Sequence, residues 1–256
     1  MLSFLTRQRI PVGRFRVLYP QEEYRALVGY SLLYIFLSGC VGLLVRTLPL
    51  PLMGSPDFLC DYWYFLIYKI GLLLVLPVFV FRRLGYGWRD LAPFGLSAGD
   101  FLLALPALAI GVYPNRGYLR LIPEHIREVR PDHVSLRIAF GVAIPLLCAG
   151  IPEEFFYRGW LQTRLERRYG RLVAILGTAI LFTAWHIPSR YFLAFGLEGH
   201  AGDWPSLLNH AARFIFVWGL IYGLYWDRYR RLLPLIVAHS ALDVLPWIAA
   251  MLGIRV

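Results

Sequence analysis

Lysine is nearly missing from this chain. Lys and Arg together number 26 among 256 residues, yet Lys69 is the single lysine. Charge of any sign is sparse, at 16% of residues, where a soluble domain carries about 25%. Cysteine is scarce too. Cys40, Cys60 and Cys148 lie far apart with no C-x-x-C pair, which excludes a disulfide framework and a thiolate metal site. Alternating strand patterns, internal repeats and low-complexity tracts are also lacking, so neither a β-barrel nor a repeat array fits. No cleavable leader is expected, because Arg7, Arg9, Arg14 and Arg16, with Pro11 and Pro20, break up residues 1–25 before any long apolar run.

What the chain has instead is apolar length. Hydrophobic residues make up 58% of it, gathered into runs of about 20, the length needed to cross a bilayer as helix. The expected class is all-α: a polytopic transmembrane helix bundle of about seven spans with a cytoplasm-facing polar cavity. The spans fall at 26–45, 62–81, 96–113, 134–165, 172–187, 207–226 and 232–252. A cytoplasmic or interfacial segment (1–25) precedes them, and a polar connector with an amphipathic middle fills 114–132. The layout is a single membrane domain: N-terminal helices and connector over 26–133, then a core over 134–252. The net charge of +10 sits between spans, as in loops that face anionic headgroups. With no soluble basic domain, nucleic acid is not an expected partner; membrane lipids are. Arginine-rich stretches at the N-terminus, 82–89, 164–171 and 228–231 all fall on one side, which places the N-terminus inside. The expected location is the inner membrane of a bacterium.

Ionisable side chains at bilayer depth are costly and pair or do chemistry. Glu153, Glu154 and Arg158 lie in one candidate span, His186 in the next, His239 and Asp243 in the last. At about 1.5 Å per residue, Glu153 is roughly 18 Å, His186 roughly 21 Å, and His239 and Asp243 roughly 10 and 16 Å from the arginine-rich ends of their spans. The depths overlap, as expected for one shared site reached from the cytoplasmic side. Glu153 and Glu154 point about 100° apart on a helix, and Arg158 is spaced to pair with Glu154, leaving Glu153 to face a cavity as an acid–base group. His239 and Asp243 share a face. With His186 and Glu153 these imidazoles could hold a divalent metal such as zinc, or bond a water and a developing oxyanion. Lys69 reads as a snorkelling or bundle-pairing cation; His200, Asn209 and His210 read as outer-loop residues away from the site.

The segment Ile151-Pro-Glu-Glu-Phe-Phe-Tyr-Arg-Gly-Trp160 resembles the E-E-x-x-x-R-G motif of the CAAX protease and bacteriocin-processing family of intramembrane proteases. Phe182-x-x-x-His186 resembles its second motif and His239-x-x-x-Asp243 its third. The resemblance covers about 134–250. It implies an intramembrane endopeptidase in which Glu153 activates water with help from His186. It further implies that His239 and Asp243 stabilise the oxyanion, while Glu154 with Arg158 holds the first carboxylate. Members are commonly described as metalloproteases; the motifs leave the metal open, and the oligomeric state is left open as well. The implied partner is a membrane-associated or lipidated protein or peptide substrate. Two other readings compete. One is a non-catalytic immunity or regulatory protein that uses the same cavity. The other is a small carrier, disfavoured by the absence of inverted repeats and of broken helix pairs.

Overall fold

The computed structural model describes residues 17–47, 64–91, 98–193 and 202–254. The described residues form helices and turns, with no strand among them. Helix α1 is Pro20–Thr47. Helix α2 covers 64–83, as a π-helical stretch Tyr64–Val75 continued by Leu76–Arg83. Helix α3 is Ala98–Val112, extended by a 3-10 turn Tyr113–Asn115, and α4 is Tyr118–Val129. Then come α5, Val134–Tyr169, α6, Arg171–Leu193, α7, Trp204–Tyr229, and α8, Leu232–Met251.

Six of these, all except α2 and α4, are long and apolar enough to cross a membrane. The bundle is therefore a polytopic membrane protein, and the all-α expectation holds. Helix α2, interrupted by Lys69 and ended by Arg82 and Arg83, packs inside the same bundle. Its expected start at 62 and much of the segment 1–25 lie outside the described residues.

Two boundaries differ from the sequence reading for local reasons. Helix α6 runs through Pro188 to Leu193 rather than stopping at 187, because a proline removes only one ladder hydrogen bond and Ser189 Oγ donates to the His186 carbonyl (3.0 Å). Helix α7 starts at Trp204 because Asp203 caps it, accepting from the Ser206 N–H at 3.2 Å, with Pro205 in the first turn.

Helix α8 is the axis of the fold. It packs along α3 on one side and α5 on another, while α6 lies between α1 and α7. Glycines allow the close approaches. A Cβ at Gly141 of α5 would stand 2.7 Å from Ile248 Cα of α8, and one at Gly150 would stand 2.9 Å from the Ile236 carbonyl oxygen. Helix α5 departs from α-geometry on both sides of Glu153, being π-helical over Pro145–Gly150 and again over Glu154–Gln162. Pro145 and Pro152 interrupt its ladder there. Such π stretches re-aim side chains and often mark functional sites.

Ion pairs tie one end of the bundle together. Glu23, in the first turn of α1, accepts from Arg164 Nε of α5 (2.9 Å) and from the Tyr86 hydroxyl. Arg230 reaches Glu166 at 2.5 Å and Asp227 at 3.5 Å, and Arg231 reaches Asp100 at 2.5 Å. This is the arginine-rich end, and α1 begins there.

Candidate active site

Helices α5, α6 and α8 bring the three sequence patches together. Glu153 and Glu154 are fully buried; His186 and His239 are buried as well. Glu154 does not line the cavity. It lies behind the wall, where its Oε1 accepts from His239 Nδ1 at 2.8 Å. Arg158 Nη1 stands 3.3 Å from the same oxygen, and Arg158 Nη2 donates to the Gly219 carbonyl of α7 at 3.3 Å. The guanidinium also stacks over the Phe182 ring, 4.4 Å from its centroid. The expected Glu154–Arg158 pair is therefore present. What it holds is the imidazole of His239 rather than the first carboxylate.

Since a carboxylate only accepts, the Glu154 bond places a proton on His239 Nδ1. Nε2 then faces forward, 3.8 Å from Glu153 Oε2 and 3.8 Å from Asp243 Oδ2. Those gaps exceed hydrogen-bond length and suit a small polar group between the three. Glu153 Oε2 is buried without a hydrogen-bond partner. Its other oxygen, Oε1, accepts from Lys69 Nζ at 2.6 Å. His186 donates from Nδ1 to the Phe182 carbonyl (2.7 Å), which leaves Nε2 as its acceptor in the neutral ring. Its ring lies 3.8 Å from that of Trp185.

A cavity of about 250 Å³ opens from these groups, lined by Glu153, His186, His239 and Asp243 together with Lys69, Cys148, Trp185, Arg190, His210 and Trp247. Its outer wall comes from Asn115 and Tyr118 beyond α3, from Ser189 and Arg190 beyond His186, and from Pro246 and Trp247 beyond Asp243. The cavity therefore opens at the end opposite the arginine-rich turns, where α1 begins.

Three contributors escaped the sequence reading. Lys69 pairs with Glu153, the bundle-pairing alternative, and so belongs to the site, where the sequence reading had not put it. His210 lines the cavity, its Nε2 2.8 Å from Arg190 Nη1, rather than lying away from it. Trp185 carries both the Lys69 ammonium, 4.7 Å above its ring centroid, and the His186 ring. The one available signal was a lone lysine in mid-span.

A divalent cation does not fit this arrangement. Among the described residues no group of three His, Cys, Asp or Glu side chains is placed to hold one. Of the expected set of His186, His239 and Glu153, Glu153 already has an ammonium ion at 2.6 Å, and two cations so close would repel. No step below is drawn through a metal.

These features define an integral membrane protein with a buried carboxylate–imidazole site open to one end of a helix bundle. Residues 135–245 match the family model described as Type II CAAX prenyl endopeptidase Rce1-like. Over that segment the chain is similar to the CAAX protease and bacteriocin-processing family, a likeness that supports a CAAX-type intramembrane endopeptidase activity in general terms. No curated protein and no solved structure matches the chain.

Proposed function

We propose that this protein hydrolyses peptide bonds in membrane-associated or lipidated protein or peptide substrates by attack of a glutamate-activated water. The observation that carries the reading is the free Oε2 of Glu153 facing His239 Nε2 at 3.8 Å inside a cavity. A water between them lies within reach of Glu153, which takes its proton as general base. His186, on the same cavity wall, assists in placing the water. In its imidazolium form His239 donates from Nδ1 to Glu154 and from Nε2 into the cavity, toward the oxyanion of the tetrahedral intermediate. Asp243 orients that imidazole from the cavity side, and when protonated it donates to the oxyanion itself. Glu153 then passes its proton to the leaving amine. The core over 134–252 supplies every one of these groups, and the protein sits in the inner membrane of a bacterium.

The test compares membrane-proteome termini in cells with the wild-type protein and cells with Glu153→Gln at matched levels. Removing a general base costs about 10²–10⁴-fold in rate, so termini dependent on Glu153 should vanish. Identical termini in both would move the reading to a non-catalytic immunity or regulatory protein.

A further inference from the structure

We infer that Lys69 is a positioning residue for the Glu153 carboxylate, supplied from α2, outside the Rce1-like segment. The inference rests on the endopeptidase reading above. Groups of both signs surround Glu153. Helix α8 presents His239 and Asp243, α6 presents His186 and Arg190, and its own helix carries Glu154, Arg158 and Cys148. Of the cations, Arg158 is committed to Glu154 at 3.3 Å. Among the described residues it is Lys69 that bonds Glu153 itself, at 2.6 Å, with the two side chains 6% and 1% exposed. A buried carboxylate without a cation is strongly disfavoured in its charged form, and a neutral carboxyl is no base.

The choice of side chain carries the second half of the argument. The chain uses 25 arginines (26 less Lys69) and one lysine, and the lysine stands here. A guanidinium fork takes both oxygens of a carboxylate, whereas an ammonium is a point charge that can hold one. Lys69 holds Oε1, and Oε2 is left aimed at His239 Nε2, 3.8 Å away. The Trp185 face under the ammonium fixes its height. Lys69 thus offers Glu153 a counter-charge at one oxygen and leaves its reactive oxygen uncovered.

The experiment uses the full-length protein in lipid nanodiscs and a peptide spanning the most strongly Glu153-dependent terminus. Lys69→Met and Lys69→Arg are expected to lower kcat at least 10-fold with KM within about 3-fold, since a misplacement near 1 Å costs up to about 10²-fold. Melting is read on the same samples. Lys69→Met should melt earlier than wild type, Lys69→Arg should melt near it, and adding Glu153→Gln to Lys69→Met should recover the loss. Wild-type kcat in Lys69→Met would overturn the inference. Full rescue by Lys69→Arg would reduce Lys69 to a structural counter-charge and overturn it too. Should Glu153→Gln leave all termini unchanged, the endopeptidase reading itself fails, and this role falls with it; the melting series then reports the ion pair alone.

Discussion

His239 Nδ1 bonds Glu154 Oε1 at 2.8 Å across the α5–α8 contact, so one carboxylate of the adjacent pair faces the cavity and the other aims the imidazole. The two glutamates have separate work. Glu154→Gln keeps the volume but can present its amide N–H₂ to Nδ1, favouring the wrong tautomer. Turnover should fall about 10²–10⁴-fold, within the range for a misdirected acid–base group. A double-mutant cycle with His239→Ala should show strong non-additivity; additive losses would sink the pairing.

Arg158 touches no cavity surface, yet its loss should be felt. Arg158→Met would leave Glu154 buried with its guanidinium gone and would strip the stacking on Phe182. Breaking one side of a buried pair typically costs about 3–5 kcal/mol. Reduced folded yield and earlier melting in detergent are expected, together with lost activity. Unchanged melting would count against the pair.

The bundle's two ends are distinguishable in cells. With Cys40, Cys60 and Cys148 replaced by alanine, single cysteines at Tyr169 and at Tyr118 should react with an impermeant thiol reagent from opposite faces of the membrane. Tyr169 belongs to the arginine-rich end where α1 starts, Tyr118 to the cavity rim. Labelling of both from the same side would contradict the arrangement of α3, α5 and α8.

Much of this architecture was legible beforehand, and the reasons differ by residue. The apolar runs located the six helices able to span a membrane and most of α2, because length and hydropathy are local properties. The i, i+4 spacings of Glu154–Arg158 and His239–Asp243 put each pair on one face of its helix for the same reason. The partners across helices were not legible. Nothing near Lys69 in sequence signals Glu153, 84 residues away, and nothing near Arg190 signals His210, 20 residues on. Only the third dimension shows that ion pairs seal one end and Asn115, Tyr118 and Trp247 wall the other.

Packing of α5 on α8 leaves no room for a branched side chain at Gly141, where a Cβ would already lie 2.7 Å from Ile248 Cα and 2.9 Å from its nitrogen. Backbone cannot step aside as a side-chain tip can. Gly141→Val should therefore cost at least the 1–3 kcal/mol typical of overpacking and shift α5 enough to move Glu153, three turns further on. Thermal melting with the Glu153-dependent cleavage assay would show both losses; wild-type values in each would mean the helices are not in contact there.

Alkaline stability offers a check at the arginine-rich end, independent of catalysis. Burial, and then the hydrogen bond to Glu23, push the Tyr86 phenol above its ordinary 10.0. The folded state thus holds the phenolic proton more tightly than the unfolded chain does. Its contribution is complete below pH 10 and is lost as pH rises from there through the raised folded value. Tyr86 also joins α1 to the turn after α2, because its hydroxyl accepts from the Leu18 N–H at 2.7 Å while donating to Glu23. Deprotonation would set a phenolate against that carboxylate. Melting temperature of the wild type should fall above pH 10, and Tyr86→Phe, though less stable at pH 8, should show a shallower fall over the same window. Parallel curves for the two proteins would show that Tyr86 is not the group that titrates.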